Sequence, residues 1–184
     1  MGKTTSAITM ICAAAILFGC AAQYRVPDGT PTAKIRLLGE NSSTGTFSKR
    51  FFLLAFENEN CETLATGTTL VRLNSSGKNR AMSESVAIKA GKPATITAQY
   101  IDARFAQNRS CYATGTFTPT ENEDYTVVLA VNPEVTECRL GVFRGKPSKT
   151  TRVNSLHIPA AACTTDGKYE GRNGKPLWMN WVFY

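Results

Sequence analysis

Histidine is almost missing from this chain: His157 is the only one in 184 residues. A catalytic triad needs a nucleophile, a base and an orienting group held together, and the usual base can come only from that position. It sits in Ser155-Leu156-His157-Ile158-Pro159, between apolar neighbours, and reads as a strand-edge histidine. Other signatures are absent too. With no Cys-x-x-Cys pair, zinc ribbons and thioredoxin-like redox chemistry have no support. The Gly-x-Ser-x-Gly elbow, phosphate loop, dinucleotide fingerprint and His-Glu-x-x-His motif do not occur. Two acidic groups, Glu57/Glu59/Glu62 and Glu121/Glu123/Asp124, offer carboxylate pairs of the kind glycoside hydrolysis uses. Both lie in polar, Asn-containing stretches where solvated acids are ordinary, and neither forms an Asp-x-Asp-x-Asp-Gly calcium loop. No enzyme activity, cofactor or metal is expected.

Long apolar runs are also lacking. The longest, Ala7 to Phe18, is broken only by Thr9 and spans ~18 Å as a helix, short of the ~20 residues that cross a bilayer. Basic residues outnumber acidic ones, 21 to 14, for a formal charge of +7. They are scattered singly, so nucleic acid is not an expected partner. Attraction to anionic headgroups, lipopolysaccharide or wall polymers is the alternative to a merely soluble basic surface.

What is present starts at the N terminus. Residues 1–19 have the parts of an export signal: Lys3, the apolar run, and a small-residue end. Polar residues follow at once, with Gln23, Arg25 and Asp28. Leu17-Phe18-Gly19-Cys20 resembles the cleavage region of bacterial lipoproteins, with leucine three residues before the cysteine and a small residue directly before it. Phe18 is bulkier than is usual there, and an ordinary leader cut after Ala22 is the alternative. The resemblance implies a mature chain that begins at lipid-bearing Cys20. Each buried lipid methylene contributes ~0.8 kcal/mol, so more than one acyl chain is needed to hold stably. It also implies, because Ala21 rather than aspartate follows, the periplasmic face of a Gram-negative outer membrane.

Cys12 leaves with the leader. If Cys20 carries lipid, Cys61, Cys111, Cys138 and Cys163 are an even set in an exported protein and point to disulfides. Cys111 and Cys138 each precede a strand-like run and flank an expected hairpin, which favours Cys111–Cys138. Cys61–Cys163 follows by elimination and would pin the C-terminal segment. Each closed loop contributes ~3–4 kcal/mol through the unfolded state.

From residue 33 the pattern is β. Strand-like runs occur at 34–38, 51–56, 68–73, 86–89, 94–101, 112–117, 125–131 and 138–144, separated by Gly, Pro and Asn turns. The six-residue apolar run Phe51–Phe56 suits a strand buried on both sides, though a short helix also fits. In 94–101, Ile96, Ala98 and Tyr100 face one way and the threonines the other. No segment beyond the leader shows a helical period. About seven to nine short strands predict an antiparallel β-sandwich, immunoglobulin-like or transthyretin-like in architecture. The Cys…Trp…Cys arrangement of antibody domains is absent, since Trp178 and Trp181 both lie at the C terminus.

The expected organisation is a signal peptide (1–19), a flexible tether (20–32) holding the domain ~20 Å from the lipid, and one sandwich domain (33–184), with 148–184 a C-terminal extension packed or stapled onto it. Its aromatic end reads either as a terminal strand completing a sheet or as a binding strip of Trp178, Trp181 and Tyr184 with basic Arg172 and Lys175 ahead. Sandwich plus tether resembles, in layout only, small accessory lipoproteins of secretion systems, including the transthyretin-like type VI secretion lipoprotein. The expected function is a non-catalytic, membrane-anchored module with an envelope protein as partner. The alternative is a lipoprotein that binds an envelope polymer or lipopolysaccharide or inhibits an enzyme.

Overall fold

The computed structural model describes residues 23–43, 48–75, 78–104, 108–145 and 149–179, with residues 176–179 described by backbone only. The segment expected to be a signal peptide lies outside the described residues, as do Cys20, Trp181 and Tyr184. Thirteen strands are described: β1 (Thr32–Asn41), β2 (Ser48–Phe56), β3 (Thr69–Asn74), β4 (Arg80–Met82), β5 (Val86–Lys89), β6 (Ala94–Ala103), β7 (Asn108–Phe117), β8 (Asp124–Val131), β9 (Cys138–Arg144), β10 (Thr151–Arg152), β11 (Ala162–Thr164), β12 (Gly167–Tyr169) and β13 (Pro176–Met179). There is no helix among the described residues.

Two layers form the sandwich. One sheet runs β10-β9-β8-β1-β4, with β5 also paired to β1; the other runs β13-β7-β6-β2-β3. The first is mixed, not purely antiparallel, because β1 and β8 pair in parallel from Lys34↔Asp124 to Asn41↔Val131. Alternation explains the core. Ile35, Leu37, Val127, Leu129 and Val142 from one sheet meet Phe51, Leu53, Ile96, Ala98 and Tyr100 from the other, all essentially without solvent exposure. The period of two puts every second side chain on this inner face, and the Phe51 and Tyr100 rings pack tilted at 4.9 Å.

The count exceeds expectation because β4, β10, β11 and β12 are two or three residues long, too short for alternation to register. Cys111–Cys138 is present, with Cα atoms 6.2 Å apart, but the reason given for it needs correction. β7 and β8 belong to different sheets, so the chain between them crosses the sandwich instead of making a hairpin, and Cys111 lies within β7. The hairpin is β8–β9, and the disulfide ties the two layers together.

Residues 150–179 account for the rest of the architecture. The β11–β12 hairpin lies on the outer face of the five-stranded sheet, where Leu54, Phe56, Cys61 and Cys163 form a second apolar cluster with Phe52 at its margin. That is why the Phe51–Phe56 run needs no alternation: β2 is covered on both faces. The Cys61–Cys163 disulfide, Cα atoms 5.1 Å apart, fastens this layer. The threonines of β6 and β7 point into it, Thr95, Thr97 and Thr114 buried and Thr116 partly so. They hydrogen-bond in cross-strand pairs, Thr95–Thr116 at 3.0 Å and Thr97–Thr114 at 2.7 Å, which offsets the cost of removing hydroxyls from water. The Thr114 hydroxyl also accepts from the Cys163 N–H at 2.9 Å.

The same segment closes the β7 edge. His157 exchanges two backbone hydrogen bonds with Thr116. One step along, the Asn173 side chain acts as a peptide: its Oδ1 accepts from Thr114 N–H (2.7 Å) and its Nδ2 donates to Thr114 C=O (2.9 Å). Gly174 N–H donates to Tyr112 C=O, and β13 completes the edge opposite Asn108–Cys111. Gly174, at φ 74°, sits so close to the chain that a Cβ there would come within 2.8 Å of the Cys138 carbonyl oxygen.

The N-terminal stretch departs from the expected tether. Gln23 bridges to Thr69, Tyr24 N–H donates to Thr69 C=O at 2.9 Å, and the Tyr24 ring packs against the core. Pro31 C=O accepts from Ala90 N–H. Its Gly and Pro content suggested freedom, but β3 is an edge strand with open backbone groups, and the chain satisfies them from Gln23 onward.

Candidate functional site

Three surfaces carry polar or apolar groups that the fold itself does not consume. The first surrounds His157. Its imidazole is 64 % exposed, with Nε2 3.6 Å from Glu59 Oε1. Lys168 and Glu170 pair nearby at 2.9 Å, and Ile158 stands half out of the surface. The shallow depression there, about 350 Å³, is lined by both charged pairs and by Pro159 and Ala160. No serine, threonine or cysteine nucleophile is among its lining residues. Glu62, in the same loop as Glu59, accepts from the Asn58 amide at 2.9 Å. Among the described residues, no group of three or more His, Cys, Asp or Glu side chains gathers as a metal site would require.

The second is the outer face of the six-stranded sheet. Whereas the C-terminal segment roofs the other sheet, this face holds a groove of about 260 Å³ lined by Leu38, Met82, Val128 and Phe143, with Thr126 at its floor. Met82 is 51 % exposed. An ion pair, Arg80–Glu40 at 3.1 Å, forms part of the rim. Apolar centre and charged rim follow the arrangement of protein interfaces. The sequence marks this face poorly, because Leu38, Val128 and Phe143 sit in runs that alternate only in part.

The third is a concavity of about 310 Å³ where β7, β8, β9 and the chain after β10 meet. It is lined by Arg144, Arg152, Thr118, Thr120, Asn154 and Ser155, over the buried Tyr125 ring. Tyr125 Oη accepts from Thr120 N–H at 2.9 Å and so fixes the loop. Gly145, at φ 111°, makes the turn that brings β10 back beside β9; a side chain there would collide with the Lys149 carbonyl oxygen.

Of the residues expected to form an aromatic binding strip, Trp181 and Tyr184 lie outside the described residues and Trp178 is described by backbone only. Arg172 and Lys175 are exposed in a tight turn closed by Lys175 N–H to Arg172 C=O. Trp178 lies in β13 opposite Arg109 in the backbone register, as a terminal strand requires. No helix among the described residues is long and apolar enough to cross a membrane. Compared with protein-family models, curated proteins and solved structures, the chain gives no match.

Proposed function

We propose that this chain is an exported lipoprotein, anchored through Cys20, whose sandwich serves as a non-catalytic binding module for a protein of the cell envelope, at the periplasmic face of an outer membrane. The asymmetry of the sandwich carries the reading. One sheet is roofed and stapled by Cys61–Cys163, and the other opens a groove of exposed Met82 and half-buried Val128 and Phe143, over buried Leu38, to solvent. An exposed apolar patch with a charged rim is what a partner-binding surface needs. Two disulfides suit an oxidising compartment.

The anchor would act at short range. Only Ala21 and Ala22 separate Cys20 from Gln23, where the chain joins the domain. Three extended residues reach ~11 Å at most, so the lipid would hold the domain against the headgroups.

A photo-crosslinking residue at position 82 tests the partner face. The expected result is one discrete protein adduct from intact cells, lost on Cys20→Ser, which moves the protein from the membrane to the soluble fraction. Equal adducts from position 82 and from the exposed position 158 would refute this face as the binding surface.

A further inference from the structure

The strand register decides which side chains share the outer face of the six-stranded sheet. Leu38 stands opposite Met82 on one side and Val128 on the other, and Val128 stands opposite Gly141. These four form one row across β4, β1, β8 and β9. A Cβ at Gly141 would lie 3.0 Å from the Phe143 ring, so that ring leans over the glycine and completes an apolar row. Four strands at the usual spacing make the row ~14 Å long. Cations stand on both flanks. On one flank Arg36 pairs with Thr126, Thr126 with Phe143, and Phe143 with Arg152. On the other, Arg80 pairs with Glu40, Glu40 with Ala130, and Ala130 with Arg139.

The flanks carry more positive charge than they neutralise. Arg80 meets Glu40 at 3.1 Å, Arg139 meets Glu137 at 3.0 Å, and Arg36 stands 3.8 Å from Asp124. Lys34, one step beyond Arg36 on the same face, and Arg152 have no ion-pair partner among the described residues. Both are exposed. A partner's rim must therefore bring acids, because like charges across an interface are costly. The row offers a partner side chains and no backbone groups. A strand laid across it would leave its own N–H and C=O groups unpaired over apolar side chains. A helix satisfies those groups internally and presents an apolar ridge with polar flanks. About 10 helical residues span the row.

We propose that this face docks an acidic amphipathic helix of a partner protein. Its apolar ridge would follow Met82, Leu38, Val128 and Phe143, with carboxylates toward Lys34 and Arg152 on one flank and Arg139 on the other. The inference rests on the partner-binding reading above and adds the chemistry of what binds. The row was not legible in the sequence, because it takes one residue from each of four strands.

The test uses the processed full chain with a photo-crosslinking residue at position 82 and three synthetic peptides of about three to four helical turns. The first has leucines along one face and glutamates on both flanks. The second has lysines in place of the glutamates, and the third scrambles the first so that no apolar face remains. The expected result is crosslinking to the first peptide well above the other two, weakened by salt. Arg139→Gln/Arg152→Gln should lower its affinity about three- to tenfold. Arg50→Gln/Arg72→Gln, which removes the same charge from the other sheet, should change it less than about 1.5-fold. All four arginines are exposed, so circular dichroism should show both variants folded; the comparison among peptides needs no variant. Equal crosslinking of the lysine or scrambled peptide, or equal loss in both double variants, overturns the proposal. So does loss of the crosslink on adding vesicles that contain phosphatidylglycerol, but not phosphatidylcholine alone, which would give the face to the membrane. The cellular adduct at position 82 is read separately. An adduct without preference for the acidic helix leaves the partner face standing and removes the helix; acidic-helix binding without an adduct supports the chemistry of the face and removes the envelope partner.

Discussion

Tyr100 closes one end of the core with its phenol turned inward. Its Oη donates to Asn41 Oδ1 at 2.8 Å and lies 3.3 Å from Ser43 Oγ, while Lys49 Nζ donates to Ser43 C=O at 2.7 Å. Burial pushes the phenol up to about 12; the Ser43 hydrogen bond acts against this and the Asp102 carboxylate adds to it. The folded value exceeds the unfolded one of 10.0, so the associated stability is complete below pH 10 and is lost as pH rises through about 12. Two units correspond to roughly 3 kcal/mol. Denaturant titrations between pH 9 and 12, run on the wild type and Tyr100→Phe, should show a larger alkaline loss in the wild type, since burial also pushes up the Tyr112 phenol, which contributes to both; parallel curves would remove Tyr100 as a source. Asn173 has a second single-residue role. Asn173→Ala strips partners from both backbone groups of Thr114, at a cost of about 1–3 kcal/mol. That corresponds to roughly 2–4 °C of Tm per kcal/mol in a chain of this size, and an unchanged Tm would show that water replaces the amide. Neither role was visible in the sequence, because Asn173 sits in a Gly- and Lys-rich loop with no strand pattern.

At the scale of elements, the C-terminal layer is held by one covalent bond and a small apolar cluster. Cys61–Cys163 spans 102 residues, and by loop-closure entropy its loss costs about 4–5 kcal/mol. In Cys61→Ser/Cys163→Ser, amide exchange should rise first in residues 157–174 and along the β7 edge, with β1, β8 and β9 protected until global unfolding. Uniform acceleration would mean that the layer and the sandwich form one cooperative unit. Strands were the most legible feature of the sequence: the eight alternating or apolar runs all became strands in the two sheets. The sheet assignment was not legible, since it depends on partners distant in the chain. A Pro-containing turn after β7 looks the same whether the chain folds back or crosses over. The alternation put the threonines of β6 on the face opposite Ile96, Ala98 and Tyr100 but could not show that this face is covered, because the covering hairpin lies some 50 residues further on.

For the whole molecule, the distribution of covered and open surface is the clearest guide to its role. The roofed sheet, closed β7 edge and docked N-terminal segment leave the apolar groove on the outer face of the six-stranded sheet uncovered among the described residues. If the sandwich works at the headgroup layer, the span between Cys20 and Gln23 sets its reach. Inserting a flexible segment of about 20 residues after Ala22 adds on the order of 25 Å of root-mean-square reach. It should lower the yield of partner crosslinked at position 82 by several-fold while leaving the melting temperature unchanged. An unaltered yield would show that distance from the membrane is unimportant. The candidate surfaces themselves were illegible in sequence, since each assembles residues from segments far apart in the chain. The proposed address, by contrast, rests on a local stretch of sequence, Leu17–Cys20.

Everything proposed about where this protein works depends on the N terminus of the mature chain, and mass spectrometry of its N-terminal peptide reads that directly. The account predicts a first residue of Cys20 carrying diacylglycerol, with palmitate label that disappears on Cys20→Ser. An unmodified chain beginning at Gln23, as an ordinary leader cut after Ala22 would give, contradicts it.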